Sequence, residues 1–193
     1  MHYTYTNTDE DWSGLFTAAR LYDHLRLKDP ASAETPADSS LIDVYVLTAI
    51  DIVERYTSIP LLPKTVTMGY DQKNPMLGGY LLKFLTDLSS PSITSIKYRD
   101  EDGVLQTHDV AKAYINNIVT PNEVKFLPDQ DLPDGATDIE IVYSIAAPRY
   151  PKQAIGAVLV IAAHLYENRS TEMAVEFNEY KSILNAIKIP FHP

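Results

Sequence analysis

The chain contains no cysteine. That absence removes disulfide frameworks, cysteine-ligated zinc and thiol nucleophiles together, and it fits a reducing cytosolic origin. Glycine is scarce, with seven in 193 residues. None of them approaches G-x-x-x-x-G-K or G-x-G-x-x-G, so a backbone cradle for phosphate is not expected. Gly78-Gly79 reads as a turn or bulge. No G-x-S-x-G elbow exists, which leaves Ser170 without a motif that would make it a nucleophile. Positive charge is in the minority, 16 Lys and Arg against 26 Asp and Glu, for a formal net charge of -10. Nucleic-acid affinity comes largely from basic side chains neutralising phosphates, so a general DNA or RNA binder is excluded. Long apolar runs are also missing. The longest, Ala154 to Ala163, is far shorter than the roughly 20 residues that cross a bilayer, so no membrane partner is expected. The opening MHYTYTNTDEDW has no basic stretch followed by an apolar core, so a secretory signal is not expected. The sequon Asn168-Arg169-Ser170 is then read as unused.

What is present is a folding chain: 45% hydrophobic residues, thirteen Tyr and thirteen Pro. That composition supports one good core, many turns and many half-buried aromatic surfaces. A single domain over 1–193 is the expectation, in four regions. The first is a pair of N-terminal helices over 13–58. Leu15, Ala18, Ala19, Tyr22 and Leu25 predict a helix from about Ser13 to Leu27, ended by Asp29 and Pro30. Pro30 to Asp38 lacks large apolar groups and reads as an exposed linker. The next helix starts at an N-cap among Asp38, Ser39 and Ser40 and runs to about Tyr56, before Pro60 and Pro63. Its polar positions Asp43, Thr48, Asp51, Glu54 and Arg55 form one limited stripe. The apolar remainder, including Leu41, Val44, Tyr45, Ile52, Val53 and Tyr56, needs cover on more than one side.

The second region, 64–145, changes to short alternating runs between turn residues, as antiparallel strands do. Strands are expected at Thr65 to Tyr70, Ile93 to Arg99, Leu105 to Val110, Val124 to Phe126 and Ile139 to Tyr143. Asp100-Glu101-Asp102-Gly103 is the clearest hairpin turn. The third region, 150–187, returns to helix. Pro151 opens an almost wholly apolar helix to about Arg169, and an amphipathic helix follows from about Met173 to Ile187. The fourth, 188–193, is an extended tail ending Pro190-Phe191-His192-Pro193. The fold class expected is α+β: a bundle of about four helices with an antiparallel β-region inserted between the second helix and the C-terminal pair. No solenoid repeat or sustained heptad is found.

Candidate chemistry is thin. His2, His24, His108, His164 and His192 are scattered, and only His164 with Glu167 shares a helical spacing. Metal sites use three or four ligands, so a hydrogen-bonded helix-end histidine is the favoured reading. Asp100 to Gly103 resembles a calcium loop, but Ala111 stands where the bidentate Glu belongs, which favours the hairpin turn. Asp9-Glu10-Asp11 reads as a solvated terminus ahead of a partner-binding tail. No catalytic, metal or cofactor site is assigned, and the chain is not expected to be an enzyme.

Several segments resemble one family, the head-to-tail connector (adaptor) proteins of long-tailed double-stranded DNA bacteriophages. They are LYDHLRLKDP, AIDIVERYTSIPLLPKTV, SPSITSIKYRDEDGVLQ and YPKQAIGAVLVIAAHLYENR, in the family's order over roughly residues 15 to 187. The most specific pair is Glu54-Arg55-Tyr56-Thr57 with His164-Leu165-Tyr166-Glu167-Asn168-Arg169. One departure lies at Tyr143, which is followed by Ser144-Ile145-Ala146-Ala147 where the family often has tyrosine-x-alanine-glycine, and it puts the local loop shape in doubt.

The resemblance implies a virion protein of the neck, made in the host cytoplasm: a homo-oligomeric ring, usually of twelve copies. It would sit beneath the portal protein and above the next head-completion or tail-terminator protein, with DNA passing through its lumen unbound. An acidic subunit agrees with a channel that should not grip DNA. By the same likeness Ile187, Lys188, Ile189, Pro190, Phe191, His192 and Pro193 are the candidate portal contact. The rigid apolar pair Ile189 and Phe191 between prolines suits a groove on a partner. Three alternatives stay open: another head- or tail-completion ring protein, a small soluble binding module, and an enzyme centred on His164, Glu167 and Arg169.

Overall fold

The structure is a computed structural model. It describes residues 2–25, 39–72, 80–81, 91–116, 123–146, 150–168 and 178–188. The chain packs as two compact units, one carrying the strands and one carrying the helices.

In the β unit, a five-stranded antiparallel sheet joins β1 (His2–Asn7), β2 (Lys64–Gln72), β8 (Thr137–Ile145), β4 (Pro91–Arg99) and β5 (Leu105–His108) in that spatial order. A smaller sheet joins β3 (Tyr80–Leu81), β7 (Glu123–Phe126) and β6 (Ala113–Asn116). Side chains alternate across a strand, so the pairing register sorts the large sheet into two unlike faces. On the inner face, one row across the strands reads Tyr3, Met68, Ile141, Ile96, His108 and the next reads Tyr5, Val66, Tyr143, Ile93. Met68, Ile141, Ile96, Val66 and Tyr143 are fully buried, and Tyr80, Val124 and Leu132 join them in one core. The outer rows read Thr6, Thr65, Ser144, Ser92, then Thr4, Thr67, Val142, Ser95, then His2, Gly69, Glu140, Lys97, Thr107. A bulge between Ile93 and Ser95 holds that alternation in step, with Thr94 Oγ1 donating to the Val142 carbonyl at 3.1 Å.

Three strands were not expected from the pattern. β1 lies just before Asp9-Glu10-Asp11, the cluster read as a solvated terminus, and its alternating His-Tyr-Thr-Tyr-Thr-Asn pairs along β2 from Asn7 with Lys64 to His2 with Gly69. The ring of the exposed His2 occupies the space a Cβ on Gly69 would need, so a larger residue there would displace that ring. β3 is too short to show a period, and β6 follows directly on the 3-10 turn over Val110–Lys112. The strand expected over Leu105 to Val110 stops at His108, because Asp109 caps a single 3-10 turn over Val110–Lys112 with its carboxylate on the Ala111 amide.

In the helical unit, α2 (Ser39–Thr57) packs on α3 (Lys152–Asn168), α1 (Ala18–His24) packs on α3, and α4 (Asn178–Ile187) packs on both α2 and α3. Ile42, Val46, Ala49, Ile50 and Val53 form the buried stripe of α2 at helical spacing. On α3, which packs against α2, Ala154, Ala157, Val158, Ile161 and Ala162 are buried, and the three alanines among them take little space. Pro151 precedes α3 and its carbonyl accepts from Ala154.

The first helix departs from expectation. In place of a continuous helix from Ser13, Asp11 caps a 3-10 turn over Trp12–Gly14, and α1 begins only after Thr17, whose hydroxyl accepts from the Arg20 amide at 3.2 Å. Two successive caps stop the helical pattern from running through. The linker over 30–38, Gly78-Gly79 and the start of the last helix at 173–177 lie outside the described residues.

Candidate functional site

The segment after α2 shows what the Glu54-Arg55-Tyr56-Thr57 motif does physically. Glu54, expected on the polar stripe, is fully buried. Its Oε1 accepts from the Leu61 amide at 2.6 Å, closing the non-helical segment back onto the helix. Thr57 Oγ1 donates to the Val53 carbonyl at 2.7 Å and accepts from the Ile59 amide at 3.2 Å. Ser58 takes a left-handed φ of 61° and ends the helix. Ile59 and Leu61 are thereby sunk into the core. A carboxylate bonded to backbone amides in a buried site is a structural lock, since each amide there must find an acceptor. The remaining polar stripe of α2, Asp43, Thr48, Asp51 and Arg55, keeps the outward orientation. Arg55 pairs with Asp51 at 2.8 Å, and Asp43 accepts from the Trp12 indole at 3.1 Å.

Tyr56 faces α4. Its hydroxyl donates to Asn185 Oδ1 at 2.7 Å and its ring lies 4.9 Å beneath the Lys188 ammonium. The foot of the expected portal-binding tail is therefore pinned to α2, with Ile187 half-buried and Lys188 exposed. Ile189, Pro190, Phe191, His192 and Pro193 lie outside the described residues. In the partner motif, Tyr166 meets Tyr45 edge to face at 6.3 Å. His164 is half-buried and Glu167 exposed on the last turns of α3, while Arg169 lies outside the described residues. Among the described residues, no three His, Asp or Glu side chains gather as a metal site would need.

Glu101, Asp102 and Gly103 form a three-residue hairpin loop, closed by the Asp100 amide donating to the Val104 carbonyl at 3.0 Å. Asp100 Oδ1 accepts from the amides of Val104 at 2.8 Å and Asp102 at 3.2 Å, and Oδ2 accepts from Gln106 at 2.7 Å. Those bonds, Gln106 foremost, lower the Asp100 carboxyl below its usual range. Gly103 sits at φ 74°, the left-handed position such a loop requires. Asp11 is lowered in the same way by Ser13, so one carboxylate of the acidic terminal cluster is a local cap.

Two kinds of surface remain. Exposed large apolar side chains stand at Leu41 and Val44 on α2, at Val104 and Leu105 on the hairpin, and at Val110, Tyr114 and Leu127 beside the small sheet. The outer face of the large sheet is a hydroxyl surface. Thr6, Thr65, Ser144 and Ser92 make an unbroken row across four strands, with Ser92 and Ser144 in contact at 2.8 Å. Its charges lie toward the hairpin as pairs, Lys97 with Glu140 at 3.5 Å and Arg99 with Asp138 at 3.2 Å. An acidic chain thus keeps one sheet face nearly neutral.

No protein-family model matches the sequence, and no curated protein sequence matches it. Solved structures do. A chain in the virion of a native gene transfer agent particle is 18% identical with a TM-score of 0.65, over 98% of this chain and 97% of that one. A chain in the neck of the empty gene transfer agent particle, computed with sixfold symmetry, is 17% identical with a TM-score of 0.64 over the same shares. A chain in the neck of the native particle, computed with twelvefold symmetry, is 18% identical with a TM-score of 0.61, again over 98% and 97%. The fold is shared from end to end.

Proposed function

We propose that this chain is a structural subunit of the neck of a tailed phage or phage-like particle, and that it works there as a head-to-tail connector by assembling into a ring. One observation carries the proposal. The match to neck chains covers 98% of this chain, so it takes in residues of both units and is not confined to a single common motif. The twelvefold symmetry of one of those necks supports a ring of twelve copies. Glu54 and Tyr56, both in the Glu54-Arg55-Tyr56-Thr57 segment that carries the resemblance, act as locks on the helical unit, which suits a scaffold whose product is a shape.

The ring would lie beneath the portal and above the next head-completion or tail-terminator protein, with the genome passing through. A net charge of -10 supports passage without grip, because phosphates gain nothing at an acidic wall. The segment Ile187 to Pro193, whose foot Lys188 is held over Tyr56, is the proposed portal contact. Mixing the full chain with its portal and imaging the product tests the proposal. An annulus coaxial with the portal is expected, and a chain lacking residues 188–193 should lose portal attachment. A complex with no ring, or attachment that survives the deletion, overturns the corresponding part.

A further inference from the structure

The inner face of the large sheet ends at His108, and there the packing leaves two polar atoms unsatisfied. The Tyr80 hydroxyl and His108 Nε2 are both buried and, among the described residues, neither has a hydrogen-bonding partner. Both side chains pack on one ring: Phe126 lies 6.0 Å from Tyr80 and 5.0 Å from His108, edge to face each time. Tyr70 closes the other side of Tyr80 at 5.1 Å. This cluster is the seam at which β5 of the large sheet and β3 and β7 of the small sheet meet. A neutral imidazole nitrogen tolerates such a place at modest cost, whereas a protonated one would bring a charged N–H against aromatic carbon with no acceptor.

We infer that His108 makes this seam an acid-sensitive latch: uptake of one proton at Nε2 loosens the small sheet and the β4–β5 hairpin from each other while the rest of the large sheet stays formed. The surrounding charges do not rescue the proton. Lys112, from the 3-10 turn after β5, opposes it. Asp109 on the same turn and Asp131 in the loop after β7 favour it, as does hydrogen bonding with the Gln130 backbone. From β3 comes only the Tyr80 phenol, and from β7 the apolar Phe126, with the nearby Lys125 ammonium taken up by Glu123 at 3.0 Å. Desolvation is the largest influence and Lys112 the next, and together they hold the imidazole below its ordinary 6.5.

The sign follows. A histidine whose folded pKa is depressed contributes stability that is complete above the unfolded value of 6.5 and is lost as pH falls below it, because only the opened state takes up the proton readily. The test uses the full chain. The His108 ring signals, followed by NMR, should titrate with a midpoint below 6.5. Amide exchange corrected for intrinsic rate should then be several-fold faster at pH 5.5 than at pH 7.5 in β5 and β7, and unchanged in β2 and β8. His108→Gln, which cannot take up the proton, should abolish that difference. Tyr80→Phe, which removes the second orphan atom, should leave it in place. A midpoint at or above 6.5 overturns the inference, as does a pH response that persists in His108→Gln. If His108→Gln does not fold, the wild-type titration and the exchange pattern decide alone.

Discussion

The two units satisfy their buried polar groups by different means. The helical unit admits a full carboxylate into its core and satisfies it, with Glu54 bonded to the Leu61 amide and Thr57 serving both a carbonyl and an amide. The β unit sends most polar side chains to its outer face and serves its buried charges with side chains, Lys64 bonded to Asn7 Oδ1 and lying over the Tyr5 ring, Glu123 bonded by Asn116 and paired with Lys125. Among the described residues it leaves the Tyr80 hydroxyl and His108 Nε2 unsatisfied where the inner face runs out. A helix end always presents unpaired backbone groups that a side chain can serve. A sheet satisfies its own backbone, so a buried polar side chain there must find a partner elsewhere. The helical unit should therefore be sensitive to loss of single hydrogen bonds, and the β unit to loss of volume.

Substitutions can break that contrast. Ile141→Ala, in the middle of the inner face, should have the largest effect, costing about 4 kcal/mol in urea unfolding through the cavity it leaves. Glu54→Ala removes far less apolar volume yet should still cost about 3 kcal/mol, because the buried Leu61 amide loses its acceptor. A Glu54→Ala chain as stable as the wild type would refute the lock. Gly103→Ala should cost about 1 kcal/mol, read from the thermal midpoint, since its φ of 74° disfavours a Cβ.

High pH sharpens the same contrast. Burial, and after it the neighbouring Tyr80, raises the Tyr70 phenol; burial, and after it Asp131, raises Tyr80. A raised phenol pKa gives stability that is full below the unfolded value of 10.0 and lost as pH climbs past it. Alkaline unfolding followed by tyrosinate absorbance should thus set in above pH 10 and move upward in Tyr70→Phe. The smallest effect belongs to Thr67→Val on the outer face, within about 0.5 kcal/mol for the isolated chain. Should that face be covered in the assembled ring, the same variant would alter ring formation while leaving the subunit's unfolding curve in place.

Much of the architecture was legible in the sequence, and its failures have physical causes. Long elements carried their own period: α2 runs from Ser39, close to the expected start, and α3 follows Pro151 as expected. The hairpin at Asp100 to Gly103 was legible because Asp-Gly chemistry is local. β3 escaped notice because two residues hold no measurable period, and β6 because it follows the 3-10 turn at Val110–Lys112 directly, with no turn residue to mark its start. β1 was hidden by its acidic neighbours Asp9-Glu10-Asp11, although its Tyr-Thr alternation was the available signal. Glu54 was misplaced because a helical wheel assigns side chains by type, and nothing in α2 alone reveals that the chain turns back at Ser58 to bring the Leu61 amide within reach.

By itself the amino-acid order determined the fold class, the acidic and cysteine-free chemistry, and the order of the longer helices, strands and turns. Each follows from properties that act over a few residues: periodicity, capping and conformational preference. Tertiary structure alone decided which strands neighbour one another, that hydroxyls from β1, β2, β8 and β4 align into one row, and that Tyr80, Phe126 and His108 converge. Those groupings join residues far apart along the chain, and only the register of the folded sheet brings them together.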